Sequence, residues 1–187
     1  MIERDVRDQI NKLFRCLNYN ADTPPDAIIC GACRNMVRPS IGQPDVTMMS
    51  PTGLSCYVEV KVVLSSGKRF NFASITTEQR GKLTAWMDKG GMGYLGLGII
   101  VQASQHRDKL ERLYLVEWSA WLEMETKLRQ YQSSIPVKAS KGYRKELQAQ
   151  KLDIVTLLSD WQVSYIRGSG WQLPMTHPAQ HQLRLVD

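Results

Sequence analysis

Between Leu54 and Val63 the chain alternates, with Val58, Val60 and Val62 on one parity and Glu59 and Lys61 on the other. Successive side chains of a strand point to opposite faces, so the valines enter a core while the carboxylate and the ammonium share the other face. The preceding text supplies this strand with a partner. Gly42-Gln43-Pro44 stops any regular element, Asp45 to about Ser50 reads as a strand, and Pro51-Thr52-Gly53 reads as a hairpin turn. Ser65-Ser66-Gly67 closes the second strand. Such a hairpin brings the carboxylates of Asp45 and Glu59 together, an arrangement that repels strongly unless a cation sits between them. The cation suited to these oxygen donors is Mg²⁺. Asp45, Glu59 and the backbone carbonyl of Val60 would hold one side of it, water or a phosphate oxygen the other, and Lys61 would face the attacking water.

The flanking segments read as a mixture of helices and strands. Ile2, Val6, Ile10, Leu13, Phe14 and Leu17 recur at helical spacing among charged residues, which predicts an amphipathic helix from Met1 to about Asn18. Thr76 and Gln79 form a T-x-x-Q capping box for a helix that runs to about Lys89 and ends at Gly90-Gly91, with Leu83, Trp86 and Met87 as its buried stripe. Tyr94 to Gln102 and Arg112 to Trp118 read as strands, Ser119 as the cap of a helix to about Tyr131, and Asp153 to Ser159 as a short helix. Gln162 to Arg167 and Gly170 to Leu173 read as a last hairpin. Trp86, Trp118, Trp121 and Trp161 are read as core or hairpin packing rather than as stacking platforms for bases.

With 187 residues, 43% of them hydrophobic, the chain can bury one core of ordinary size. It is expected to be one domain over 1–187, its core about 1–131 and a basic extension about 132–187. Its longest apolar-plus-glycine run, Met92 to Val101, is too short for a membrane span, and the charged start MIERDVRDQI is unlike a secretory signal, so a cytoplasmic location is expected. A net charge of +6 and a pI near 9.2 favour a polyanionic partner. Much of that excess lies in Lys138, Lys141, Arg144, Lys145 and Lys151. Cys30 and Cys33 are read as a small reduced pair rather than half of a metal site, because His177 and His181 are far away in sequence.

Pro44-Asp45, a spacer and Glu59-Val60-Lys61 resemble the signature of the PD-(D/E)xK nuclease superfamily. Phe70, Phe72, Ile75 and Gln79, followed by Lys89-Gly90-Gly91-Met92-Gly93, Leu113-Tyr114-Leu115-Val116 and Ser133-Ser134-Ile135-Pro136, are similar to RecU-type Holliday junction resolvases. The likeness runs from about Pro44 to Pro136. It implies an α/β (α+β) fold with a mixed central sheet flanked by helices, a restriction-endonuclease-like core. It also implies a Mg²⁺-dependent endodeoxyribonuclease in which Mn²⁺ substitutes, acting as a homodimer on branched or four-way DNA. Asp45, Glu59 and the Val60 carbonyl would bind metal, Lys61 would polarise water, and Gln79 corresponds to a polar residue on the helix after the catalytic strand. Glu3 looks like the acidic residue that the first helix adds to the metal site in archaeal resolvases, a place that Asp5 or Asp8 could be mistaken for.

Arg69, Arg80, Lys82, Lys138, Lys141, Arg144 and Lys145 would hold the DNA backbone. The spacing between the first helix and Asp45, about 26 residues, leaves little room for the stalk that RecU proteins insert there. Another nuclease of phage or restriction type, a non-catalytic DNA-binding module on the same fold, and a structural nucleoprotein component are the competing readings.

Overall fold

The computed structural model describes residues 3–17, 19–22, 28–29, 36–37, 44–50, 53–65, 69–102, 108–130, 133–137, 153–166 and 170–173. The basic residues Lys138, Lys141, Arg144, Lys145 and Lys151, together with Cys30, Cys33, His177 and His181, lie outside them.

The chain opens with α1 (Glu3–Cys16), then β1 (Asn20–Asp22), β2 (Ile28–Ile29) and β3 (Met36–Val37). The predicted hairpin follows as β4 (Val46–Met49) and β5 (Ser55–Leu64), paired antiparallel with Val46 opposite Val58. After β6 (Arg69–Asn71) and a single 3₁₀ turn come α2 (Thr77–Asp88), β7 (Met92–Gln102), β8 (Asp108–Glu117) and α3 (Trp118–Arg129). The described chain ends with β9 (Ser134–Pro136), α4 (Ile154–Leu157), β10 (Gln162–Ile166) and β11 (Gly170–Gln172). Among the described residues, no helix is long and apolar enough to cross a membrane.

Seven strands form one mixed sheet in the order β1-β4-β5-β7-β8-β10-β11. β5 and β7 are parallel and the other neighbours antiparallel. This mixed α+β arrangement, with helices flanking a central sheet, is the fold class the pattern predicts and is compatible with a nuclease-like core. A parallel pair needs a crossover connection, and the crossover from β5 to β7 carries α2. On one face, Val6, Ile10, Leu13 and Phe14 of α1 pack with Val58 and Val60. On the other, Leu83 of α2 and Trp118, Trp121 and Leu128 of α3 pack with Leu95, Leu97, Ile99 and Val116. A side chain on Gly98 of β7 would come within 2.8 Å of Val6 Cγ2, so the bare backbone there lets α1 lie close.

Two local expectations are corrected. Ser119 does not cap α3: the helix starts one residue earlier, at Trp118, and Ser119 Oγ donates to Glu117 Oε1. Of the two glycines that end α2, only Gly90 is left-handed, at φ 84°. Gly91 is small for a different reason, since a Cβ on it would overlap the Trp86 indole. The face of β5 that carries Glu59 is covered by α2, which leaves Glu59 3% exposed.

Candidate active site

The site exists because β5 outruns its partner. Its ladder with β4 ends at the Val46–Val58 pair, while its ladder with β7 continues to Leu64. At the first place where the β4 ladder could have continued, Asp45 Oδ2 accepts a 2.7 Å hydrogen bond from the Val60 N–H. The N–H and C=O of one strand residue face the same side, so the Val60 carbonyl is presented to this same open edge. Glu59 and Lys61 reach the edge from the α2 face of the sheet. Glu3, in the first turn of α1, reaches it from the opposite face, because no strand intervenes there among the described residues.

One carboxylate oxygen each from Glu3, Asp45 and Glu59 lies within 4.8 Å of the others. Neither Asp5 nor Asp8 belongs to this cluster. Lys61 Nζ stands 2.6 Å from Glu59 Oε1 and 3.9 Å from Glu3 Oε1. The Gln79 side-chain amide donates to the same Glu59 oxygen. It also completes the predicted capping box, its oxygen accepting from Thr76 N at 2.9 Å while its backbone N–H donates to Thr76 Oγ1 at 3.2 Å.

Burial, followed by the charge of Asp45, pushes the Glu59 carboxyl up to about 7, with Lys61 pulling the other way. The Glu3 carboxyl is raised as well, first by partial burial and then by Asp45, against the opposing pull of Lys61 and Arg7. A carboxylate held at such cost beside two others is a group that a cation would relieve. Three carboxylates and a backbone carbonyl are hard oxygen donors without thiolate or imidazole, a set that fits Mg²⁺ or Mn²⁺ and not a thiolate-seeking metal.

Arg7 is a site residue the sequence reading missed. Its Nη1 lies 3.9 Å from Asp45 Oδ1, and its side chain is only 13% exposed. The available signal was its place one helical turn after Glu3, which sets both on one side of α1.

The basic residues read as DNA contacts are spread over different tasks. Arg69 is exposed and joins β6 to β9, donating from Nε to Ser134 Oγ at 2.7 Å and from Nη2 to Ser134 O at 2.5 Å. Arg80 spends all three nitrogens inside the fold, on Ile75 O, Phe72 O and the buried Glu125. Glu125 also accepts from Trp121 Nε1 and Arg129 Nε, so this network ties α2 to α3. Lys82 forms an exposed pair with Glu78 one turn away, at 3.1 Å.

No protein-family model matches the chain, and no curated protein matches it in sequence. Among solved structures, the fold is similar to that of Hjc, a Holliday junction resolvase from the archaeal hyperthermophile Archaeoglobus fulgidus, with a TM-score of 0.39 and 12% identity. That similarity covers 84% of this chain and 98% of the other.

Proposed function

We propose that this protein is a divalent-cation-dependent endonuclease that hydrolyses DNA phosphodiester bonds. The carrying observation is the convergence of Glu3, Asp45 and Glu59 within 4.8 Å at an open strand edge, with Lys61 beside them. Elsewhere the buried carboxylate of Glu125 is matched by two cations, Arg80 and Arg129, as a structural carboxylate in so buried a place requires. Here, among the described residues, three carboxylates face two basic groups, Lys61 and Arg7.

Glu3, Asp45, Glu59 and the Val60 carbonyl would hold Mg²⁺, or Mn²⁺ in its place. The bound ion would supply positive charge against the negative charge that builds on the scissile phosphate. The remaining work falls to the chain itself. Asp45 is fixed by the Val60 N–H and Glu59 by Gln79, so neither needs to reorganise as charge develops. Lys61 orients the attacking water at the phosphorus; the new P–O bond forms as the bond to the leaving oxygen breaks.

Positive charge favours nucleic acid, and Lys82, Arg69 and the basic stretch around Lys138, Lys141, Arg144 and Lys145 are the proposed backbone contacts. The spaced Pro44-Asp45 and Glu59-Val60-Lys61 text and the blocks that follow it support the narrower reading, a resolvase of branched or four-way DNA in the cytoplasm. Cutting two opposed strands then calls for two sites and a homodimer. In this reading, residues 1–187 form a single nuclease domain.

The test is cleavage of labelled four-way junction, duplex and single-stranded DNA by the wild type and by Glu59→Ala, with Mg²⁺ and with EDTA. Paired nicks in the junction alone, absent in the variant, are the expected result. Cation-dependent cutting of all three DNAs would leave a general nuclease. Tight binding without cutting would leave a DNA-binding module.

A further inference from the structure

The carboxylate cluster is one end of a longer feature. Asn20, Thr47, Met49, Ser55 and Tyr57 share the sheet face that carries Glu59, since Asn20 pairs with Met49, Thr47 with Tyr57, and Met49 with Ser55. α2 packs on this face over β5 and β7, and among the described residues no helix packs on it over β1 and β4. Trp86 forms the wall. Its ring stacks on Tyr57 with centroids 4.0 Å apart and an interplanar angle of 11°, and its Nε1 donates to Ser55 O at 3.2 Å. The result is a groove of about 530 Å³, within the size range of small-ligand sites. Arg15 stands at its side, held by two hydrogen bonds from Nε and Nη2 to Ala21 O.

We infer that this groove is a nucleotide subsite, taking one unpaired nucleotide next to the scissile phosphate. The inference rests on the nuclease reading above and deepens it. Three observations carry it. The groove lies beside the reacting centre: Tyr57, which lines it, and Glu59 are two residues apart on one face of β5, roughly 6.6 Å, a distance that one nucleotide of an extended strand covers. Its described lining includes the charged group of Arg15, which suits the phosphate of a nucleotide. Its walls suit a base, with two aromatic rings, a 45%-exposed Met49 and the polar groups of Asn20 and Thr47 around them. Trp86, read from the sequence as packing alone, thus has a second task.

The test compares affinities for a short labelled duplex, blunt or with a single-stranded tail, with Ca²⁺ in place of Mg²⁺. The proteins are the wild type, Trp86→Leu, and Thr47→Tyr, which fills the groove while leaving both rings in place. The wild type is expected to prefer the tailed duplex, and each variant to reduce that preference about tenfold, the size of one base–aromatic stack. A loss confined to Trp86→Leu would mean that the ring only supports the fold and overturns the subsite. So does an unchanged preference in both variants, or no preference in a wild type that cuts DNA, and in these cases the nuclease reading stands. A wild type that neither binds nor cuts any DNA overturns both.

Discussion

Gln79 holds Glu59 with the nitrogen of the same side-chain amide whose oxygen closes the first turn of α2 on the Thr76 N–H. One residue therefore links the start of a helix to a buried carboxylate, and the two roles separate by substitution. Gln79→Glu keeps the acceptor for the cap but sets a third acid against Glu59, whereas Gln79→Ala loses both. Thermal melts should show a loss of about 0.5–1 kcal/mol for the alanine variant from the cap. Calorimetric Mg²⁺ titration should show altered affinity in both variants, and unchanged affinity would mean that the bond to Glu59 does not shape the site.

Asp45→Asn separates fold from charge in a similar way. The asparagine oxygen can still accept from Val60 N, so the hairpin and its melting temperature should persist. Mg²⁺ affinity should drop by about tenfold or more, because one of three carboxylates is gone. Equal affinity in variant and wild type would remove Asp45 from the metal site.

The raised Glu59 carboxyl implies a pH dependence with a definite sign. Its folded value, about 7, lies above the 4.5 of an unperturbed glutamate. The group's favourable contribution to stability is therefore fully present below 4.5 and fades as pH rises through about 7. In EDTA the melting temperature should fall across this window. Mg²⁺ requires the ionised form, so its affinity should climb over the same range and level off above it, and at saturation the loss of stability should disappear. Melts in EDTA and in Mg²⁺ across this pH range measure both effects.

Lys61→Ala removes the basic group nearest Glu59 without exposing a large apolar surface. DNA cleavage should fall by about 100-fold or more while DNA binding persists, as filter binding alongside a cleavage assay would show. Parallel loss of both would make Lys61 a simple phosphate contact.

Gly98→Ala reaches the site from a distance. The new methyl would press on Val6, one turn after Glu3 on α1. Overpacking of this kind costs about 1–3 kcal/mol, and a displaced α1 would draw Glu3 away from Asp45 and Glu59. Reduced stability together with weaker Mg²⁺ binding is expected, although the substitution touches no carboxylate.

What could be read from the text, and what could not, divides along physical lines. The capping box at Thr76 and Gln79, the hairpin from Asp45 and the amphipathic face of α1 are encoded by residues close together in sequence, and the structure contains all three. The nearness of Asp45 to Glu59 follows from the hairpin alone. β1, β6 and β9 are three residues each, too short to carry a period, and they depend on partners remote in sequence. Arg80 illustrates the same limit: a basic residue on a helix looks alike whether it faces solvent or a buried acid, and Glu125, forty-five residues away, decides which.

The parallel ladder of β5 and β7 has a consequence for how the molecule is assembled over time. Its partners, such as Cys56 and Met92, are thirty-six residues apart, whereas Gln102 of β7 and its partner Asp108 of β8 are six apart. Contacts between distant parts of a chain form slowly, because more freedom must be surrendered before they bring any gain. The antiparallel pair can therefore arise early, while α2 settles over β5, and Gln79 reaches Glu59, only when the distant strands join. A newly made chain would therefore join β7 to β8 before the parallel ladder brings β5 beside them and the site is complete.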